Sequence, residues 1–175
     1  MVLGQSAAVA ASLSIDQGVD VQDVDVARIQ EILKTDPLAD GSTPEILVDN
    51  DDTTAVEVRG DWTLAHDTYR GYGLNFYVDS SKGDTLKTIR YTPEIQAPGS
   101  YKVYAFFPQL KESTTHTPVT VYTGADTVQV QVHKDDVKVV GQTGGEWVSV
   151  GEYTLPRGRE AYVEISNLGT DNTVA

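Results

Sequence analysis

From Thr127 to His133 the chain alternates, with Val128, Val130 and Val132 on one side and Gln129, Gln131 and His133 on the other. A period of two is that of a half-buried strand. The same pattern predicts strands over Tyr101–Phe107, Val119–Thr123, Trp147–Tyr153 and Ala161–Ser166. Between them stand turn formers: Pro98-Gly99, Gly124-Ala-Asp126, Gly144-Gly145 and Pro156-Arg-Gly158. In the strand from Tyr101, Tyr104 and Phe106 oppose Val103, Ala105 and Phe107, so both faces are apolar. That reads as a central, buried strand. Short strands at this spacing with no intervening helix predict a mainly β fold, an antiparallel sandwich of jelly-roll type.

The period is different at the start. Ser6 to Gln17 is rich in alanine, with Ala7, Ala10, Ala11, Leu13 and Ile15 apolar, and Gly18 follows as a terminator. Asp25 is placed to cap a second helix in which Val26, Ile29, Ile32 and Leu33 share a face, before Pro37 and Gly41 break it. The expected organisation is therefore a helical segment over 1–41, a linker at 42–45 and a sandwich over 46–175.

Charge narrows the partners. The 175 residues carry 13 basic against 26 acidic side chains, a net charge of −13, which repels phosphate backbones and anionic lipid. Neither nucleic acid nor a membrane is an expected partner, and no apolar run reaches transmembrane length. Met1–Ala11 has no Lys or Arg and is interrupted by Gln5, so it does not read as a signal peptide. Without cysteine there is no disulfide, thiolate zinc site or cysteine nucleophile. His66, His116 and His133 are dispersed, and no H-E-x-x-H or G-x-S-x-G run accompanies them. Catalysis by this chain alone is not expected. Arg59-Gly-Asp61 reads as the end of a strand before Trp62.

Two resemblances bear on function. Gly4-Gln-Ser-Ala7, followed by Val21-Gln-Asp-Val-Asp25 and a short helix from Arg28 to Leu33, resembles the C-terminal end of bacterial FAD-dependent oxidoreductases. From Ile46 onward the chain resembles golvesin C-terminal-like domains, also found attached to xanthan lyases and to the same oxidoreductases. The residues that carry this are Leu47-Val-Asp-Asn-Asp-Asp52, Gly60-Asp-Trp62, Tyr91-Thr-Pro93, Pro98-Gly-Ser-Tyr-Lys-Val-Tyr104, Gly144-Gly-Glu-Trp147, Val150-Gly-Glu-Tyr153 and Asn167-Leu-Gly-Thr-Asp-Asn172. Together they imply the C-terminal part of an extracytoplasmic flavoenzyme carrying an accessory sandwich. The family's sandwich continues past a Val-Ala pair with one further strand, so the resemblance implies a piece with one strand missing and an edge exposed.

The resemblance makes Gly4, Gln5, Ser6 and Ala7 neighbours of FAD in the complete parent, where a helix N-terminus favours negative charge on the flavin. No cofactor is expected for these 175 residues alone, because Gly71-Tyr-Gly-Leu-Asn-Phe76 lacks the third glycine of a dinucleotide fingerprint. For the sandwich the implied partner is a polysaccharide or the parent's catalytic domain. Sugar rings stack on exposed aromatics, and Trp62, Tyr69, Tyr72 and Tyr77 in the irregular stretch Gly60–Lys82 are the candidates. Trp62 and Trp147, each in a Gly-x-Trp slot, also read as core. Asp49, Asp51 and Asp52 crowd three carboxylates into four residues. A helix-loop-helix calcium loop fails there, since Thr54 and Gly60 hold the places of its glycine and bidentate glutamate. The cluster is expected to end the first sandwich strand and turn into Ala55–Val58, or to hold a structural calcium through turn oxygens.

Overall fold

A computed structural model describes residues 2–35, 45–67, 69–83, 85–139 and 144–175. Pro37, Gly41 and positions 42–44 of the expected linker lie outside them. The chain divides into two units, 1–45 and 46–175.

In the first unit, helix α1 (Val2–Gln17) and helix α2 (Val26–Thr35) flank a 3-10 turn at Val21–Asp23. Gly18 adopts φ 63°, and the Val19 N–H reaches back to the Ser14 carbonyl at 3.1 Å, the closing bond of a left-handed glycine cap. Asp25 caps α2, its carboxylate accepting the Ala27 N–H at 2.9 Å. Helix α1 begins four residues ahead of Ser6, so Gly4–Ala7 lie inside its first turns rather than at its cap.

Among its described residues the second unit holds nine strands: β1 (Val56–Arg59), β2 (Thr63–Ala65), β3 (Phe76–Val78), β4 (Thr88–Tyr91), β5 (Gly99–Pro108), β6 (His116–Tyr122), β7 (Thr127–His133), β8 (Gly145–Leu155) and β9 (Tyr162–Ser166). One antiparallel sheet runs β1-β4-β9-β6-β7; β2 pairs with β3, and β5 with β8. Register sorts the large sheet by face. Val58, Ile89, Ile165, Val119 and Val130 form one cross-strand row, while Glu57, Arg90, Glu164, Thr120 and Gln129 form the next, on the opposite face. The apolar face packs against Val103, Ala105 and Phe107 of β5 and Val148 and Val150 of β8, enclosing a core in which Val119 and Val121 are 1% exposed. This is the sandwich expected from the alternation.

Two expectations need correcting. Strand β5 is not central: among the described strands its sole partner is β8, and only one of its faces meets the core. Residues 45–49 form no strand either; the acidic cluster makes a turn ahead of β1, with the Asp52 carbonyl accepting the Ala55 and Val56 N–H groups at 2.9 Å.

Candidate functional site

The face of the two-stranded β5–β8 sheet that points away from the core is aromatic at one end and polar at the other. Along β8, Val148 and Val150 point inward and Trp147 and Ser149 outward; along β5, Tyr104 and Phe106 are the outward pair. Phe106 lies across from Trp147 and Tyr104 from Ser149, then Lys102 faces Glu152 and Ser100 faces Thr154. The Ser100 hydroxyl donates to the Glu152 carboxylate at 2.7 Å. Tyr72, carried on the β2–β3 connection, closes a three-ring cluster. Its ring centroid lies 5.0 Å from Trp147 at 73° and 5.8 Å from Phe106, and Phe106 lies 5.5 Å from Trp147 at 68°. Edge-to-face pairs of this kind each add about 0.5–1.5 kcal/mol beyond area burial. The cluster is ordered yet uncovered, with Tyr72 55%, Tyr104 49% and Trp147 38% exposed.

Glycines admit that geometry. A Cβ on Gly144 would collide with the Tyr69 carbonyl oxygen and the Arg70 Cα, which pass over this point, and one on Gly145 would meet the Phe106 ring at 2.5 Å. Gly144-Gly145 is therefore where the 69–72 segment crosses the start of β8, in addition to a turn signal.

The predicted ligand residues separate. Tyr72 belongs to the cluster, and Tyr69, 87% exposed, precedes it on the same segment. Trp62 packs against the core instead, its indole N–H buried without a partner among the described residues, and Tyr77 is half-buried in the β2–β3 ladder opposite Leu64. Trp147, read from sequence as core, lies on the open face, and Phe106 and Tyr104 join it there. The usable signal was the alternation Tyr104-x-Phe106 facing Trp147-x-Ser149; reading two apolar faces as a buried strand hid it.

Asp49, Asp51 and Asp52 each have their own partners. Asp49 accepts the Asp51 N–H at 3.3 Å, Asp51 accepts the Asn75 amide at 2.9 Å, and Asp52 accepts the Thr54 hydroxyl at 2.7 Å. The Thr54 hydroxyl is the main reason the exposed Asp52 carboxyl is held below its usual range. Asn50 receives the Tyr91 hydroxyl at 2.8 Å and donates to the Asn75 carbonyl at 3.2 Å, so the turn ties β4 to the approach to β3. Among the described residues no group of three or more His, Asp or Glu side chains is arranged to hold a metal. Gly4 and Ala7 sit in the first turns of α1 with Gln5 and Ser6.

A second polar constellation had no sequence signal. The buried Asp79 carboxylate accepts Lys87 Nζ at 2.7 Å, the Ser81 hydroxyl at 2.7 Å and the Asn167 amide at 2.7 Å. Burial, the largest influence, favours the neutral acid, but these donors outweigh it and hold the carboxyl below the ordinary value. Asn167, fully buried, also donates to the Thr85 carbonyl and accepts the Lys87 N–H, both at 2.8 Å. Asp79 and Val174 exchange backbone bonds at 2.9 Å. Every group is satisfied, so the network reads as a fastening between distant segments.

Fold and open face define a class, the antiparallel β-sandwich accessory domain. Residues 46–175 match the Golvesin C-terminal domain, and the chain belongs to that family. It is 30% identical over 124 residues to a xanthan lyase of Bacillus sp. (strain GL1), covering 71% of this chain and 13% of that protein. A solved xanthan lyase from Paenibacillus superposes with a TM-score of 0.64 at 26% identity, over 74% of this chain and 12% of that one. The chain thus spans about an eighth of the length of these two relatives.

Proposed function

We propose that this sandwich is a noncatalytic carbohydrate-binding module whose ligand lies on the outer face of the β5–β8 sheet. The observation that carries the reading is the uncovered cluster of Tyr72, Phe106 and Trp147, with Tyr104 alongside. Sugar rings offer C–H faces to such rings and hydroxyls to the polar groups beyond them, here Lys102, Glu152, Ser100 and Thr154. Kinship with a domain of enzymes named xanthan lyase supports a polysaccharide setting and an extracytoplasmic address. Residues 1–41 we assign, on the Gly4-Gln-Ser-Ala7 and Val21–Asp25 motifs, to the end of an FAD-dependent oxidoreductase, which the sandwich would hold against its substrate. Affinity electrophoresis of the 175-residue chain through gels containing soluble polysaccharide tests the module. Retardation that Trp147→Ala abolishes, with the fold kept by circular dichroism, supports it; equal mobility in all gels refutes it. A second reading is favoured by the share of its relatives that the chain spans: the same face packs against the parent's catalytic domain. A face shaped for that protein contact, and not for sugar, would give no retardation.

A further inference from the structure

The outer face of the β5–β8 sheet has a net charge close to zero. Its cation, Lys102, lies directly across from Glu152, and the remaining outward groups, Ser100, Thr154, Ser149, Tyr104, Phe106 and Trp147, are uncharged. The sandwich that bears it, residues 46–175, carries 18 acidic against 11 basic side chains, a net −7. A polyanion approaching this surface meets a repulsive field and no surplus of Lys or Arg to neutralise its carboxylates. An uncharged sugar chain meets no such barrier. Its affinity would come from ring stacking and from hydrogen bonds to Glu152, Lys102 and the hydroxyls, neither of which needs net charge.

The shape of the strip adds a second constraint. From Phe106 to Ser100 it runs about 20 Å at the usual strand rise, longer than one sugar ring, with rings at one end and hydrogen-bonding groups at the other. We infer that the face takes an uncharged, extended polysaccharide rather than a polyuronate, an inference that rests on the carbohydrate reading above.

The test uses the whole chain in affinity gels of hydroxyethylcellulose, galactomannan, polygalacturonate and alginate, each at low and high salt. The wild type is expected to be retarded in at least one neutral gel, equally at both salts, and to run unretarded in both polyuronate gels. Glu152→Lys leaves the rings in place and makes the strip cationic; it is expected to gain salt-sensitive retardation by polyuronate. Polyuronate retardation of the wild type as strong as the neutral one overturns the inference and leaves the carbohydrate reading standing, as does a Glu152→Lys chain that gains nothing. No retardation of the wild type in any gel removes the carbohydrate reading itself.

Discussion

Asp79, Lys87 and Asn167 show how much of this molecule rests on individual polar atoms. A carboxylate 5% exposed is tolerable only because three side chains donate to it. Asp79→Ala would leave the Lys87 ammonium without its counter-charge and strip the Asn167 amide of an acceptor. The expected cost is about 3 kcal/mol or more, read from urea unfolding at neutral pH. Acid should reveal the same dependence. Asp171, bound by the Thr115 N–H and the Thr114 hydroxyl, is held down to about 2, and Asp79 is also depressed. Folded carboxyls with lowered values bind fewer protons than unfolded ones, so their stabilisation is complete above the ordinary value near 4 and lost as pH falls through the folded value. Unfolding free energy is expected to drop between about pH 4 and pH 2, and Asp171→Asn to flatten that slope; an unchanged slope would exclude Asp171 as a contributor.

At the scale of elements, the β5–β8 pair and the 69–72 segment make the candidate site jointly. Gly144→Ala would push a Cβ into the Tyr69 backbone, which cannot yield as a flexible side chain can. A loss of about 1–3 kcal/mol is expected, with Tyr72 displaced from Trp147 and a weakened near-ultraviolet aromatic band; a native band would mean that the segment is held elsewhere. Much of this level was legible in the sequence. Strands β5 to β9 were read within a few residues, because alternating valines and punctuating glycines and prolines are local signals. The outward role of β5 was not. An apolar second face is the same pattern whether a neighbour covers it or a ligand does, and only the two-stranded pairing with β8 decides. Trp62 and Trp147 share a Gly-x-Trp slot yet have opposite fates, one against the core and one on the open face. The Asp79–Asn167 bond joins residues 88 positions apart, beyond any periodicity.

For the molecule as a whole, the proposed function makes the large sheet the support and the β5–β8 pair the working surface. The Glu57-Arg90-Glu164-Thr120-Gln129 row gives the far side a polar character, with Arg90 bonded to Glu164 at 2.9 Å and stacked 4.0 Å over Tyr162. Under the carbohydrate reading, charge at this scale bears on the choice of partner: the net −7 of residues 46–175 would favour uncharged chains over polyuronates. The chain contains two tryptophans, one on each side of the argument. Titrating it with a soluble neutral polysaccharide while following intrinsic fluorescence therefore reports which indole the ligand meets. A saturable spectral change is expected that persists in Trp62→Phe and vanishes in Trp147→Phe; a change that follows Trp62 instead, or none in the wild type, would contradict binding at the β5–β8 face.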